Sequence, residues 1–245
     1  MVLTNKTIVL TGPSSGVGLE LLRLLGARNT LIGLSRRAPP VEVSECSKDY
    51  LHVPVDFADE EQVTKAITQI AEKHAGGLDG IINCGAIQFT PRFVDADFDE
   101  ASIAKEIAIN LTSPARLIAG LIEPLSKGTE PFIMNVNSGL GLVPKHESAI
   151  YCATKAGLDN LTRGLRCQVS QRATKVQQAF LPLVDTPMTT GRGSGKLTAQ
   201  DVARQIVTAI ETGKPDTDIG KIKLLRFINR ISPMLAAHIM QKGEG

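Results

Sequence analysis

Thr11-Gly12-Pro13-Ser14-Ser15-Gly16-Val17-Gly18 follows the apolar run Thr7-Ile8-Val9-Leu10 and opens a leucine-rich segment at residues 18–25. An apolar run of four points to a buried strand, and leucines recurring at three- and four-residue steps point to a helix. Glycines let the backbone turn tightly between them. The N-terminus of the helix then presents unpaired N–H groups to an anion such as a pyrophosphate. The spacing is GxxxGxG rather than GxGxxG, and a strand-to-helix turn can need glycine for structure alone. Position at the first strand–helix junction favours dinucleotide binding, with Gly12, Ser14, Ser15, Gly16, Val17 and Gly18 as candidate contacts.

Outward from this turn the same alternation repeats. Strands are expected at residues 7–10, 30–34, 50–55, 80–83, 131–135, 176–181 and 222–225, and helices at 18–25, 60–74, 103–125, 149–169 and 199–211. Val63, Ile67, Ile70 and Ala71 mark one apolar helix face, and Asp59 with Gln62 resembles a capping box at its start. Strand–helix alternation specifies an α/β fold, a Rossmann-type doubly wound parallel sheet of about seven strands with helices on both faces. No linker or internal repeat divides residues 1–245, so a single domain is expected.

Composition narrows the function classes. The 245 residues are 42% hydrophobic, 21% charged and 4% aromatic, with no Trp and tyrosine only at Tyr50 and Tyr151. An aliphatic core follows, and a stacking platform for single-stranded nucleic acid does not, so no nucleic-acid partner is expected. Cys46, Cys84, Cys152 and Cys167 are widely spaced, so neither a metal site nor a disulfide framework is expected. No signal peptide or membrane-length apolar run is evident, and a soluble cytoplasmic protein is expected. Net charge is +2, but residues 1–150 carry 13 Lys/Arg against 18 Asp/Glu, and residues 151–245 carry 14 against 7.

Tyr151 and Lys155 stand four apart on an expected helix and therefore share a face, with Ser138 thirteen residues upstream at the end of a strand. A free phenol has a pKa of about 10, and a neighbouring ammonium lowers it toward neutral pH. YxxxK alone is a weak pattern. Ordered behind TGxxxGxG on an alternating chain, the set resembles the short-chain dehydrogenase/reductase family, in its branch of about 250-residue single-domain enzymes. Asn137–Pro144 (NSGLGLVP) and Tyr151–Arg166 (YCATKAGLDNLTRGLR) are also similar to bacterial oxidoreductases of the DltE-like type.

The resemblance implies a catalytic set of Ser138, Tyr151, Lys155 and Asn110, and an NADP(H)-dependent oxidoreductase that transfers hydride reversibly between nicotinamide and a carbonyl/alcohol substrate. Asn110 lies four residues before Pro114, which has no N–H to close a helical bond on the Asn110 carbonyl. The resemblance implies that this freed carbonyl holds a water in a proton relay running from Tyr151 through the ribose and Lys155; a kinked helix with a buried Asn satisfied by its neighbours is the alternative, compatible with it. At the end of the second strand, Ser35-Arg36-Arg37 stands where an NAD-specific site usually carries a carboxylate. Two guanidiniums and a hydroxyl suit a 2′-phosphate, so NADP(H) is favoured over NAD(H), although solvated loop charges are the alternative. The resemblance further places Asp56 and Phe57 at the adenine, with helix capping as the alternative for Asp56. It places Asn83-Cys84-Gly85 at the family's NNAG site, and Pro182, Val184 and Thr186 at the nicotinamide carboxamide.

Pocket walls are expected at residues 87–93, 140–146 and 189–196, the last a glycine-rich lid carrying Arg192 and Lys196. Either cation could meet an anionic substrate, with solvated lid charges the favoured alternative. From Lys221 to Lys242 the chain carries Lys221, Lys223, Arg226, Arg230 and Lys242 with no acid, interleaved with Leu224, Leu225, Phe227, Ile228, Ile231, Leu235 and Ile239. Packing in a homodimer or homotetramer is favoured for this strand/helix tail at 220–245, and peripheral contact with an anionic membrane is the alternative. An idle NADP(H)-binding regulator, or a membrane-associated scaffold, remains the competing function class.

Overall fold

The protein is described from a computed structural model covering residues 1–42, 47 and 49–242; Cys46 lies outside the described residues. In chain order the elements are β1 (Thr7–Thr11), α1 (Gly16–Gly26), β2 (Thr30–Ser35), β3 (Asp49–Pro54), α2 (Glu60–Lys73), β4 (Gly80–Asn83), α3 (Ala101–Ile107), a π-helical turn (Ala108–Thr112) and α4 (Ser113–Ser126). They continue with β5 (Phe132–Ser138), α5 (Ala149–Gln168), β6 (Lys175–Leu181), β7 (Val184–Asp185), β8 (Leu197–Thr198), α6 (Ala199–Thr212), β9 (Asp216–Asp218), α7 (Ile222–Ile231) and α8 (Pro233–Lys242).

Seven strands form one parallel sheet in the order β3-β2-β1-β4-β5-β6-β9, and β7 pairs with β8 in a separate ribbon. Parallel strands are buried on both faces, which explains their unbroken aliphatic runs. One face packs Leu10, Leu31 and Met134 against Leu21, Leu22 and Leu25 of α1 and Val202 and Ile206 of α6. The other packs Val9, Ile32 and Ile133 against Val63 and Ile70 of α2 and Leu117 and Leu121 of α4. After β3 the chain crosses to the far side of β1 to form β4. The crevice beyond the carboxyl ends of β1 and β4 is thus the switch point where ligands bind in such sheets.

Local signals place most boundaries. Asp59 caps α2 by accepting from the Glu61 and Gln62 amides, while Gln62 reaches back to the Asp56 amide rather than to that of Asp59. The expected helix at 103–125 is divided into α3, the π-helical turn and α4, because Pro114 cannot donate the α-helical bond to Asn110.

The strand expected at 222–225 is a helix. Ile222 and Leu225 are buried beside Val143 and Phe180, while Leu224, Phe227 and Ile231 project from the opposite face of α7. The seventh strand is instead Asp216-Thr217-Asp218, a polar run at the sheet edge. Its carboxylates receive Arg166 and Arg226, so ion pairs replace the apolar burial that marks the other strands. The tail is therefore two helices, with Leu224, Phe227, Ile231, Met234, Leu235 and Ile239 exposed on them. Arg226 is occupied by two bonds of 2.8 Å to Asp218 and lies over the Phe180 ring, which removes it from the set of surface cations. No helix among the described residues is long and apolar enough to cross a membrane.

Two glycines test how tightly the first turn is built. A Cβ on Gly18 would lie 2.0 Å from the Gly12 carbonyl oxygen, whereas one on Gly164, in α5, would meet nothing within 4 Å. Gly18→Ala is expected to lower stability in denaturant unfolding by at least about 2 kcal/mol. Gly164→Ala should raise it by up to about 1 kcal/mol. A Gly18→Ala protein as stable as the parent would contradict the close approach.

Candidate active site

The crevice is closed at its base by Thr11. Its hydroxyl accepts from the Cys84 amide (2.9 Å) and the Gly85 amide (2.8 Å), tying the ends of β1 and β4 together. Gly12 has φ +73°, and a Cβ there would fall 2.8 Å from the Gly85 Cα. Gly85 in the third place of Asn83-Cys84-Gly85-Ala86 thus has a structural reason: it packs on the first glycine of the turn. Gly16 has φ +55°, and Thr186 stands over it, 3.0 Å from where its Cβ would be. Gly12, Gly16, Gly18, Gly85 and Thr186 are thereby drawn into one cradle at the start of α1, while Val17 and Val184 are buried in the apolar cluster on that side of the sheet. Ser15 leads into α1 without a side-chain cap, and the first turn of α1 carries no acid. An uncapped, acid-free helix N-terminus suits an anionic group.

The flanking residues are placed less uniformly. Ser35 is buried, and its hydroxyl donates to the Arg37 carbonyl at 2.7 Å, so it shapes the turn. Arg36 and Arg37 are exposed, and neither forms an ion pair among the described residues. Asp56 accepts from the Ala58 amide at 3.0 Å in a local turn before α2, whose cap is Asp59 and not Asp56, and the Phe57 carbonyl accepts from Ser113. Asn83 points into the sheet, donating to Asn135 at 2.8 Å, which in turn donates to Thr162. Its Oδ1 is buried without a partner.

Beside the cradle, at the carboxyl edge of β5, lie Ser138, Tyr151 and Lys155. Tyr151 is 8% exposed and Lys155 4% exposed, both on the first turns of α5. Lys155 donates through Nζ to the Val136 carbonyl at 2.9 Å, and that Nζ lies 5.7 Å from the centre of the Tyr151 ring. Burial pushes the Lys155 ammonium down to about 8, against an opposite pull from Cys84. Burial likewise raises the Cys84 thiol to about 12. The Tyr151 phenol is also raised by burial. A side-chain hydrogen bond with Ser138 and the charge of Arg192 pull it back, and Lys155 is not among the groups that lower it. The expected lowering of the phenol by the neighbouring ammonium is therefore not seen here, and desolvation dominates.

A model of the short chain dehydrogenase family matches residues 6–197. The chain belongs to the short-chain dehydrogenase family. It is 29% identical to the uncharacterized oxidoreductase DltE of Bacillus subtilis, over 94% of both chains. An uncharacterized oxidoreductase of Staphylococcus aureus is also 29% identical, over 85% of this chain and 92% of that one. Among solved structures, a short chain dehydrogenase from Burkholderia cenocepacia in complex with NADP superposes with a TM-score of 0.84 at 20% identity, covering 98% of this chain and 99% of that one. This dehydrogenase is thus an oxidoreductase on a fold that takes a nicotinamide cofactor.

Around the candidate site, Asn110 was singled out from sequence for its carbonyl, whereas the structure shows what its side chain does, and its supports Thr154 and Glu106 were not singled out. Asn110, in the π-helical turn, grips Ile87 twice, accepting from its amide (2.9 Å) and donating to its carbonyl (2.8 Å). Thr154 steadies Asn110 from α5, accepting from its Nδ2 at 3.3 Å and donating to the Tyr151 carbonyl at 2.8 Å. Glu106, 1% exposed, accepts from the Phe89 amide at 2.9 Å, and burial raises its carboxyl above the usual range. Glu106 and Asn110 are four apart, a spacing that offered a signal for a shared face holding the pocket wall at 87–89. His146 is exposed, with its Nε2 3.0 Å from Nη1 of Arg92.

Lys155 provides a pH test. In the unfolded chain a lysine titrates near 10.4, so between pH 8 and that value the unfolded state binds more protons and stability rises with pH. Below pH 8 both states are protonated and this contribution is flat. From pH 8.0 to 9.5, the parent should gain about 1.5 kcal/mol relative to Lys155→Met in denaturant unfolding. Parallel curves would contradict a buried, depressed ammonium.

Proposed function

We propose that the chain reduces and oxidises a carbonyl/alcohol pair with NADP(H), using Tyr151 as general acid and base. The observation that carries this reading is the half-buried Ser138 hydrogen-bonded to buried Tyr151, with buried Lys155 close by, beside a glycine turn whose contacts leave little room for a Cβ. When bound, the dinucleotide supplies hydride to the carbonyl carbon or takes it back. The NADP-bound Burkholderia cenocepacia structure, matching in fold, supports a dinucleotide in the cradle.

The chain's own residues do the rest. Gly12, Ser14, Ser15, Gly16, Val17 and Gly18 receive the pyrophosphate, Asn83, Cys84 and Gly85 border the ribose, and Pro182, Val184 and Thr186 hold the carboxamide. Arg36 and Arg37 bind the 2′-phosphate through guanidiniums that no carboxylate among the described residues occupies, while Ser35 holds the turn that carries them. Asp56 and Phe57 flank the adenine. Ser138 donates a hydrogen bond to the substrate oxygen, which stabilises the charge growing there in reduction. Tyr151 gives its proton to that oxygen. Lys155 turns from the Val136 carbonyl to the ribose hydroxyls and lowers the phenol. The Asn110 carbonyl, left without a donor at Pro114, holds a water that returns the proton. The exposed apolar faces of α7 and α8 support packing on further copies as a homodimer or homotetramer. Sedimentation equilibrium reading a monomer at micromolar concentration would contradict this assembly.

Because the chain has no Trp, NADPH binding is readable by its own fluorescence without indole interference. Tyr151→Phe should bind NADPH as the parent does yet lose at least about a hundredfold in kcat. Arg36→Ala should raise KM for NADPH by about tenfold while moving KM for NADH little. Undiminished turnover by Tyr151→Phe overturns the mechanism. Equal effects of Arg36→Ala on both cofactors overturn the 2′-phosphate contact.

A further inference from the structure

Four cations lie near the mouth of the crevice, and their partners differ. Arg92 is tied to Asp95, and Lys145 to Glu147. Lys196 is folded inward, donating to the Thr189 carbonyl at 2.6 Å with Asp185 at 3.8 Å. Arg192 is half-buried and forms no ion pair among the described residues. Its Nη1 donates at 2.7 Å to Oε1 of Gln88, a neutral group across the crevice on the opposite wall.

Gln88 is itself held. Its Nε2 donates at 3.0 Å to the hydroxyl of Ser148. Ser148 is buried, at φ +57° in the left-handed region that residues with a Cβ seldom occupy, one residue before α5 and three before Tyr151. The chain Arg192–Gln88–Ser148 therefore spans the crevice beside the phenol, and the charge of Arg192 acts on Tyr151. A guanidinium has five N–H donors, and one neutral amide oxygen leaves most of them available. The backbone carrying it turns at Gly191 (φ +77°), Gly193 (φ +50°) and Gly195 (φ +66°), which lets the guanidinium adjust to an occupant.

The structure assigns Arg192, steadied by Gln88, as the recognition site for an anionic group of the substrate, a carboxylate or phosphate carried on the same molecule as the reacting carbonyl. This rests on the hydride-transfer reading for the carbonyl and adds to it the class of substrate. A carboxylate matches the planar fork of the guanidinium, and pairing there exchanges a neutral acceptor for a charged one. Hydrogen bonds to charged groups are the stronger kind, so the anion competes with Gln88 for the fork. Lys196, which the sequence offered as the equal of Arg192, is excluded by its inward bonds.

The test uses matched pairs, 4-oxopentanoate and 5-oxohexanoate against their methyl esters. Binding is read by calorimetry with and without NADP⁺, and turnover by NADPH consumption. In the parent, the better-fitting acid should bind at least about tenfold more tightly than its ester. That ratio should fall to near one in Arg192→Gln and in Gln88→Glu, where a resident carboxylate would occupy the fork. Arg192→Lys should retain part of it, as a charge without the fork. Equal binding of acid and ester by the parent, or a preference that survives Arg192→Gln in protein with parental circular dichroism, overturns the assignment. Arg192-dependent acid binding without NADPH consumption would leave the anion site standing and count against hydride transfer. Reduction of esters with no acid preference would do the reverse. If the headgroup is phosphate, dihydroxyacetone phosphate should displace the acid in the parent and not in Arg192→Gln.

Discussion

Two hydrogen bonds from backbone amides to one hydroxyl hold the centre of this molecule. Thr11 accepts from Cys84 and Gly85, and in doing so draws the ends of β1 and β4 together at the point where the winding of the sheet reverses. Everything at the site depends on that join. Gly12 lies against Gly85, Gly18 lies against the Gly12 carbonyl, and Thr186 covers Gly16. At Gly12 and Gly18 the facing backbone is too close for a side chain, and at Gly16 a tight contact adds to a left-handed φ of +55°, so the three glycines answer three separate constraints and together leave the N-terminus of α1 open to the crevice.

The second constraint is desolvation. Tyr151 and Lys155 are almost fully buried, which raises the phenol and lowers the ammonium, so each is moved toward its neutral form. An acid–base pair prepared in this way depends strongly on whatever charge next enters the crevice. Under the proposed function that charge comes with the dinucleotide. Under the anion assignment, Arg192 adds a second charge that the substrate itself compensates. The side chains of Glu106, Asn110 and Thr154 are engaged in structural hydrogen bonds. They hold the backbone at Ile87 and Phe89, and so set the wall on which Gln88 stands.

Much of this was legible in the sequence wherever a local rule had one physical solution. The strands of the buried sheet read as aliphatic runs because both faces are covered, and TGxxxGxG reads as a turn because no other residue fits its contacts. Pro114 announced a broken helical bond at Asn110, and the structure resolves the break as a π-helical turn. Features set through space were hidden. β9 is Asp-Thr-Asp, stabilised by arginines from α5 and α7, so no apolar pattern marks it. The run at 222–225 looked like a strand because four residues cannot distinguish a two-residue period from a helix with two apolar faces. Ser35 was expected to face a ligand but is turned inward by its bond to Arg37. The pairing of Arg192 with Gln88 joins residues 104 apart in the chain, beyond any local signal.

The central claim is that hydride and proton meet on one carbon–oxygen bond between the cradle and Tyr151. Reduction of a ketone from a broad carbonyl panel with NADPH deuterated at C4 on one face at a time tests it most directly, read by mass spectrometry and proton NMR of the product. The account predicts an alcohol carrying one deuterium on the carbinol carbon from one labelled face and none from the other, with label transfer suppressed in Tyr151→Phe. NADPH consumption that leaves the carbinol carbon without deuterium from either face would contradict it.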